Sequence, residues 1–193
     1  MLARENPFRV ERVLTHRYVF EDGYSLETLH EQFEKQDWRG AIVGPKGHGK
    51  TTLLEDFVQH LRGTGENTKS LRFCSAKRAE AARSCQELLR SARSNSILVI
   101  DGAEQLGWLA WRSLARESTR FRGLLITAHR SGRLRKLFRC RTTPETLRQA
   151  ILQIAPELVD EVREEIEPLF RRNRGNVRQC LQALYDRYSE IQK

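Results

Sequence analysis

One octapeptide constrains this chain more than any other feature: Gly44-Pro45-Lys46-Gly47-His48-Gly49-Lys50-Thr51 fits G-x-x-x-x-G-K-[ST], a loop whose backbone wraps phosphates. Its flanks supply the context that the motif needs. Ala41-Ile42-Val43 reads as a short buried strand, and Thr51 to Arg62 as an amphipathic helix with Leu53, Leu54, Phe57, Val58 and Leu61 on its apolar stripe. Glycines at 44, 47 and 49 permit positive φ and close approach, so successive N–H groups can face an anion where the helix N-terminus adds partial positive charge. The stretch Gly44 to Thr52 is therefore expected to bind a nucleoside triphosphate. Lys50 would reach the β- and γ-phosphates and the Thr51 hydroxyl would ligate Mg²⁺, with Thr52 opening the helix.

A chain of 193 residues suits one α/β domain with a small appendage, large enough to bury about 70% of its unfolded surface. Cys74, Cys85, Cys140 and Cys180 are scattered, without a C-x-x-C pair, so reduced thiols are expected rather than disulfides or a metal cluster. No apolar run approaches the roughly 18 residues of a membrane span. Met1-Leu2-Ala3-Arg4-Glu5 also lacks the apolar core of a signal peptide, so a soluble cytoplasmic protein is expected.

Helical and strand periods alternate along the chain, the pattern of a parallel sheet with crossover helices. After an irregular lead-in over Asn6 to Phe20, Ser25 caps a helix to Gln36 with Leu26, Leu29 and Phe33 on one face. Strands are expected at 70–74, 96–101, 123–128 and 136–141, and helices at 76–92, capped by Ser75, and at 108–117. From Thr143-Pro144, a cap followed by a first-turn proline, the pattern is purely helical. Three apolar faces follow: Leu147, Ile151 and Ile154; Leu158, Val162, Ile166 and Leu169 on a second helix; and Val177, Leu181, Leu184 and Tyr185 on a third. The expected fold is a P-loop NTPase sheet of about five parallel strands with flanking helices and a C-terminal three-helix lid. Its expected boundaries are 1–24 for the lead-in, 25–143 for the core and 144–193 for the lid.

A second constellation lies about 50 residues beyond the loop. Ile97-Leu98-Val99-Ile100-Asp101 is an apolar strand ending in an acid, the form of the Walker B element whose carboxylate holds the magnesium shell. Thr51 and Asp101 are thus the expected metal-side residues. In Asp101-Gly102-Ala103-Glu104-Gln105 the nearest further carboxylate is Glu104, which would orient the attacking water or be a solvated turn residue.

With both Walker elements present, the chain resembles the AAA+ ATPases, and within them the compact single-module ATPases related to origin-recognition, secretion and transposition-helper ATPases. The resemblance runs from roughly Leu26 to the C-terminus. It implies that Leu124-Leu125-Ile126-Thr127-Ala128-His129 is the sensor 1 strand, with Thr127 near the γ-phosphate or water and His129 as the fallback. It likewise makes Arg174-Gly175-Asn176-Val177-Arg178 the sensor 2 turn, with Arg178 reaching from the lid to the γ-phosphate unless it is an ordinary surface arginine. The family usually carries Glu directly after the Walker B Asp. Gly102 stands there instead, which leaves binding intact and puts efficient hydrolysis in question.

From Arg112 to Arg141 there are ten Lys or Arg against one acid, Glu117, a net of +9 that equals the charge of the whole chain. Three uses compete for this segment. The resemblance implies an arginine finger among Arg130, Arg133, Arg135 and Arg139, with self-association through the first three bringing it to a neighbouring subunit; the same charge could neutralise nucleic-acid phosphates or be a solvated surface. Trp108 and Trp111, three apart on one helix, are expected to pack in the core rather than stack on bases. The function expected is Mg-ATP binding with hydrolysis to ADP, driving lid closure or engagement of a protein partner or nucleic acid. The alternatives are a nucleotide-binding switch or adaptor that does not hydrolyse, and a small-molecule P-loop kinase, whose lid would be inserted within the core. No guanine-reading Asn-Lys-x-Asp element is present, which leans toward ATP over GTP.

Overall fold

The computed structural model describes residues 17–20, 23–73 and 78–190. The expected Ser75 cap, Cys74 and most of the lead-in lie outside these residues. Ser25 opens α1 (Leu26–Glu34) as expected: its hydroxyl accepts from the Thr28 N–H at 3.2 Å, and the Ser25 N–H donates to Thr28 Oγ1 at 2.8 Å. Each side chain thus satisfies a backbone donor that the helix start would leave open. Leu29 and Phe33 bury the inner face of α1, and Phe33 packs edge-on against Trp38 and Phe57.

β1 (Arg39–Val43) follows, then α2 (Lys50–Gly63), whose whole predicted stripe from Leu53 to Leu61 is buried. The chain continues through β2 (Asn67–Arg72), α3 (Arg78–Ser91), β3 (Ser96–Asp101), α4 (Trp108–Glu117), β4 (Gly123–Ala128) and β5 (Lys136–Arg139). These five strands form one sheet in the order β2-β3-β4-β1-β5, with every ladder parallel. All six positions of both β3 and β4 are buried, which is why each reads as a continuous apolar run. β2 is an edge strand and largely exposed. It begins at Asn67 rather than at the expected Ser70, because an edge position tolerates Asn67-Thr68-Lys69 while their backbones pair with Ser96-Ile97-Leu98.

The C-terminal stretch holds α5 (Pro144–Ile154), α6 (Ile166–Arg172) and α7 (Val177–Glu190). Thr143 caps α5 with a reciprocal bond to Thr146, and Pro144 occupies the first turn as expected. The second helix is shorter than its apolar spacing predicts. Two 3₁₀ turns, Pro156–Leu158 and Arg163–Glu165, precede a seven-residue α6. Pro168 accounts for this: it lacks an N–H and its ring would clash four residues back, so it fits only in a first turn. Leu147, Ile151, Ile154, Val162, Ile166, Leu181 and Leu184 form one buried cluster.

The chain divides into two compact units. One takes the N-terminal segment, Pro45–Leu53 and the chain from Cys140 onward; the other takes Asp22–Gly44 and Leu54–Arg139. Cys140 and Cys180 in the first and Cys85 in the second are free, buried thiols. No helix among the described residues is long and apolar enough to cross a membrane.

Candidate functional site

In the first unit the phosphate-loop stretch is built on backbone conformation. Gly47 and Gly49 adopt φ of +81° and +78°, the left-handed region that favours glycine. Lys50 begins α2, and its Nζ donates to the Pro45 carbonyl at 2.9 Å, drawing the side chain back across the loop. His48 Nδ1 lies 3.2 Å from the Lys46 carbonyl; Thr51 and Thr52 are half-buried in the first turn, and Pro45 and Lys46 are exposed. Space beside Gly47 is already filled. A Cβ there would fall 1.8 Å from Asn176 Oδ1, and one at Gly49 would fall 3.0 Å from the Tyr18 ring.

Asn176 does two things at once. Besides covering Gly47, its Oδ1 accepts from the Gln179 N–H at 3.1 Å and so caps α7. Two residues on, Arg178 is exposed, and its side chain makes no hydrogen bond or ion pair with a described residue. The turn before it is fixed by Thr142, whose hydroxyl donates to the Gly175 carbonyl at 2.7 Å. Sequence reasoning missed Asn176 and Tyr18 as neighbours of the loop. The Gly-Asn start of a helix signals a cap, but no local pattern signals what else that side chain covers.

In the second unit the acid strand is built on side-chain contacts. Asp101 ends β3 and is buried; its Oδ1 accepts from the Thr127 hydroxyl at 2.6 Å, and its Oδ2 from Arg72 Nε at 3.1 Å. Thr127, 1% exposed on β4, also accepts from the Gly102 N–H at 2.8 Å, so its hydroxyl is engaged on both sides. Arg72 also extends one of its terminal nitrogens, Nη2, to Glu55. Neither Arg72 nor Glu55 stands in any motif; their role emerges only from the strand register, which sets Arg72 opposite Asp101.

Gly102 has a structural cause. Its φ is +85°, and a Cβ would meet Gln105 Nε2 at 3.1 Å and the Phe73 carbonyl at 3.2 Å, so a larger residue directly after Asp101 would be strained. Glu104 sits in a 3₁₀ turn, Ala103–Gln105, where Oε1 lies 3.1 Å from His129 Nε2 and Oε2 is buried without a hydrogen-bond partner among the described residues. The structure therefore brings Glu104 together with His129, and Thr127 together with Asp101.

The basic segment is not uniform. Arg133 is engaged within its unit: it donates to the Leu106 carbonyl at 2.6 Å, lies 5.0 Å from the Trp111 ring centre, and has its pKa lowered by burial, an effect that the Glu104 carboxylate partly offsets. The side chains of Arg130 and Arg135 are exposed and make no hydrogen bond or ion pair among the described residues, although the Arg135 carbonyl accepts from the Ala41 N–H at 2.9 Å. The tryptophans also divide. Trp111 packs against the core as expected, whereas Trp108 is 66% exposed and Leu109 74%. Their spacing predicts a shared inner face, but Trp108 falls at the first residue of α4, on the arc that carries Leu109 and Arg112. The Arg112 guanidinium lies 5.4 Å from the Trp108 ring centre.

The model of the ATPase family associated with various cellular activities (AAA) matches residues 41–152. No curated protein matches the sequence. Among solved structures, the chain is similar to the Thermotoga maritima RuvB Holliday junction branch migration motor, at 18% identity and a TM-score of 0.56, over 89% of this chain and 64% of that one. A mutant of the same RuvB aligns at 17% identity and a TM-score of 0.58, over 88% and 65%. C. elegans PCH-2 aligns at 14% identity and a TM-score of 0.50, over 87% and 67%. The chain thus spans somewhat less than two thirds of the RuvB chains, and at these identities the likeness concerns the fold.

Proposed function

Because this chain belongs to the ATPase family associated with various cellular activities (AAA), we propose that it binds Mg-ATP through residues 44–52 and hydrolyses it to ADP and phosphate. The observation that carries this reading is the loop itself: two left-handed glycines lead into a helix that begins at Lys50, the arrangement that turns backbone N–H groups toward an anion. Lys50 would exchange its bond to Pro45 for the β- and γ-phosphates. The Thr51 hydroxyl and the Asp101 carboxylate are oxygen donors of the kind magnesium takes alongside phosphate oxygens, so the donor set fits that ion. When bound, magnesium would neutralise charge that develops on the phosphates.

The remaining roles follow from what each side chain touches. Thr127, with its hydroxyl engaged by Asp101 and Gly102, acts as a positioning residue that holds the carboxylate. Glu104, steadied by His129, orients the attacking water in place of the glutamate that Gly102 excludes. Arg178, exposed at the start of α7, senses the γ-phosphate, and the C-terminal helices move with that contact as a lid. Arg130 and Arg135 are the arginines available for self-association.

Phosphate release and nucleotide binding should be measured together for the wild type, Lys50→Ala and Glu104→Gln. The expected result is lost binding in Lys50→Ala, and retained binding with turnover reduced about a hundredfold or more in Glu104→Gln. Tight binding without wild-type turnover would favour a nucleotide switch, and phosphate transfer to a small-molecule acceptor would favour a kinase. The basic segment supports a nucleic-acid partner as a second reading, favoured by the exposed Trp108 beside Arg112. It predicts binding to a single-stranded oligonucleotide that weakens steeply with salt and with Trp108→Ala.

A further inference from the structure

Arg72 is the last residue of β2 and the Cα partner of Asp101 across the parallel ladder. The guanidinium uses its fork to serve two carboxylates: Nε donates to Asp101 Oδ2 at 3.1 Å, and a terminal nitrogen donates to Glu55. The two acids differ in setting. The Asp101 side chain is 12% exposed, while those of Glu55 and Arg72 are 45% and 44% exposed. One end of the guanidinium thus faces a buried acid already fixed by Thr127, and the other faces an acid open to water.

A carboxylate that holds magnesium must offer its negative charge to a dication. A guanidinium 3.1 Å from one of its oxygens consumes that charge and repels a second cation. We propose that Arg72 is a counter-cation on Asp101 that magnesium must displace, and that Glu55 is the acid onto which the guanidinium withdraws. Arg72 neutralises Asp101 before the metal arrives, sparing the buried acid an unpaired charge. It needs no new partner when it leaves, because Glu55 already accepts from it. Arg72 is therefore a residue that sets the magnesium requirement, acting through Asp101 rather than on the nucleotide.

This inference rests on the reading of Asp101 as a magnesium carboxylate, and the test separates the two. Magnesium chloride is titrated into the full chain with a fluorescent ATP analogue, and the half-saturating magnesium concentration is read from the nucleotide signal. Arg72→Gln should lower that concentration roughly three- to tenfold, the scale of a half-exposed charge interaction. Arg72→Lys, which keeps the charge, should stay near wild type. Glu55→Gln should raise it, because the withdrawal site is gone. In EDTA all three should bind the analogue as the wild type does, and thermal melts should show each folded; Arg72 lies on an exposed edge strand.

An unchanged or higher magnesium requirement in Arg72→Gln would overturn the proposal. So would weaker binding of the analogue by Arg72→Gln in EDTA, which would make Arg72 a phosphate ligand. Asp101→Asn should abolish the magnesium response; if it titrates like the wild type, the reading of Asp101 fails, and the proposal with it. If Asp101→Asn behaves as expected and Arg72→Gln does not, only the role of Arg72 fails.

Discussion

The glycine loop and the acid strand solve different problems with different materials. The loop is held by backbone: two left-handed glycines, a helix start, and a lysine that rests on a carbonyl of the loop itself. The acid strand is held by side chains: Asp101 is bound by Thr127 on β4 and Arg72 on β2, and Thr127 is fixed in turn by the Gly102 N–H. A backbone device tolerates changes in the side chains around it but not a Cβ within it. A side-chain network tolerates neither a lost hydroxyl nor a lost charge, because the groups left behind are buried.

The largest break in this contrast should come from Gly47→Ala. Its Cβ would meet Asn176 Oδ1 at 1.8 Å in a left-handed backbone, so we expect a loss of roughly 3 kcal/mol of stability together with nucleotide binding. Thermal melts and nucleotide titration would measure both. In an Asn176→Gly background the steric part should vanish and leave only about 1–2 kcal/mol for the backbone conformation. Equal losses in the two backgrounds would mean that Asn176 does not bear on the loop.

For the side-chain network the matching test is Thr127→Val, which keeps the shape and removes the hydroxyl. A buried carboxylate oxygen and the Gly102 N–H would each lose a partner, costing about 2–3 kcal/mol in denaturant unfolding, while Thr127→Ser should recover most of it. A neutral Thr127→Val would leave Asp101 held without the network. Thr143→Ala should cost only about 1 kcal/mol, the worth of an N-cap with its reciprocal bond. At the small end, Trp108→Ala should change stability by under about 0.5 kcal/mol, well below the cost of Leu114→Ala on the buried face of the same helix. Similar values for the two would contradict the division of α4 into an open and a closed face.

The same contrast explains what was legible in the residues alone. The loop could be read because its determinants are local: glycines at fixed spacing, a Lys-Thr pair and a helical stripe, all within about twenty residues. The Ser25 and Thr143 caps were legible for the same reason, each being a side chain that bonds a backbone group three residues away. β3 and β4 were legible because strands buried on both faces read as unbroken apolar runs. Arg72 and Glu55 were not, since their pairing depends on a strand register that sequence does not carry. Nor was the broken second helix near the C-terminus, where Pro168 overrode the apolar spacing, or the exposure of Trp108, because a three-residue spacing from Trp111 does not fix which side of the helix start the first residue takes.

The central proposal is that Mg-ATP binding depends on both Lys50 and Asp101. It is tested most directly by measuring binding of a fluorescent ATP analogue with and without magnesium in the wild type, Lys50→Ala and Asp101→Asn. The account predicts that Lys50→Ala loses binding under both conditions, while Asp101→Asn keeps its magnesium-free binding and loses the gain from magnesium. Wild-type binding by Lys50→Ala, or an undiminished magnesium gain in Asp101→Asn, would contradict it.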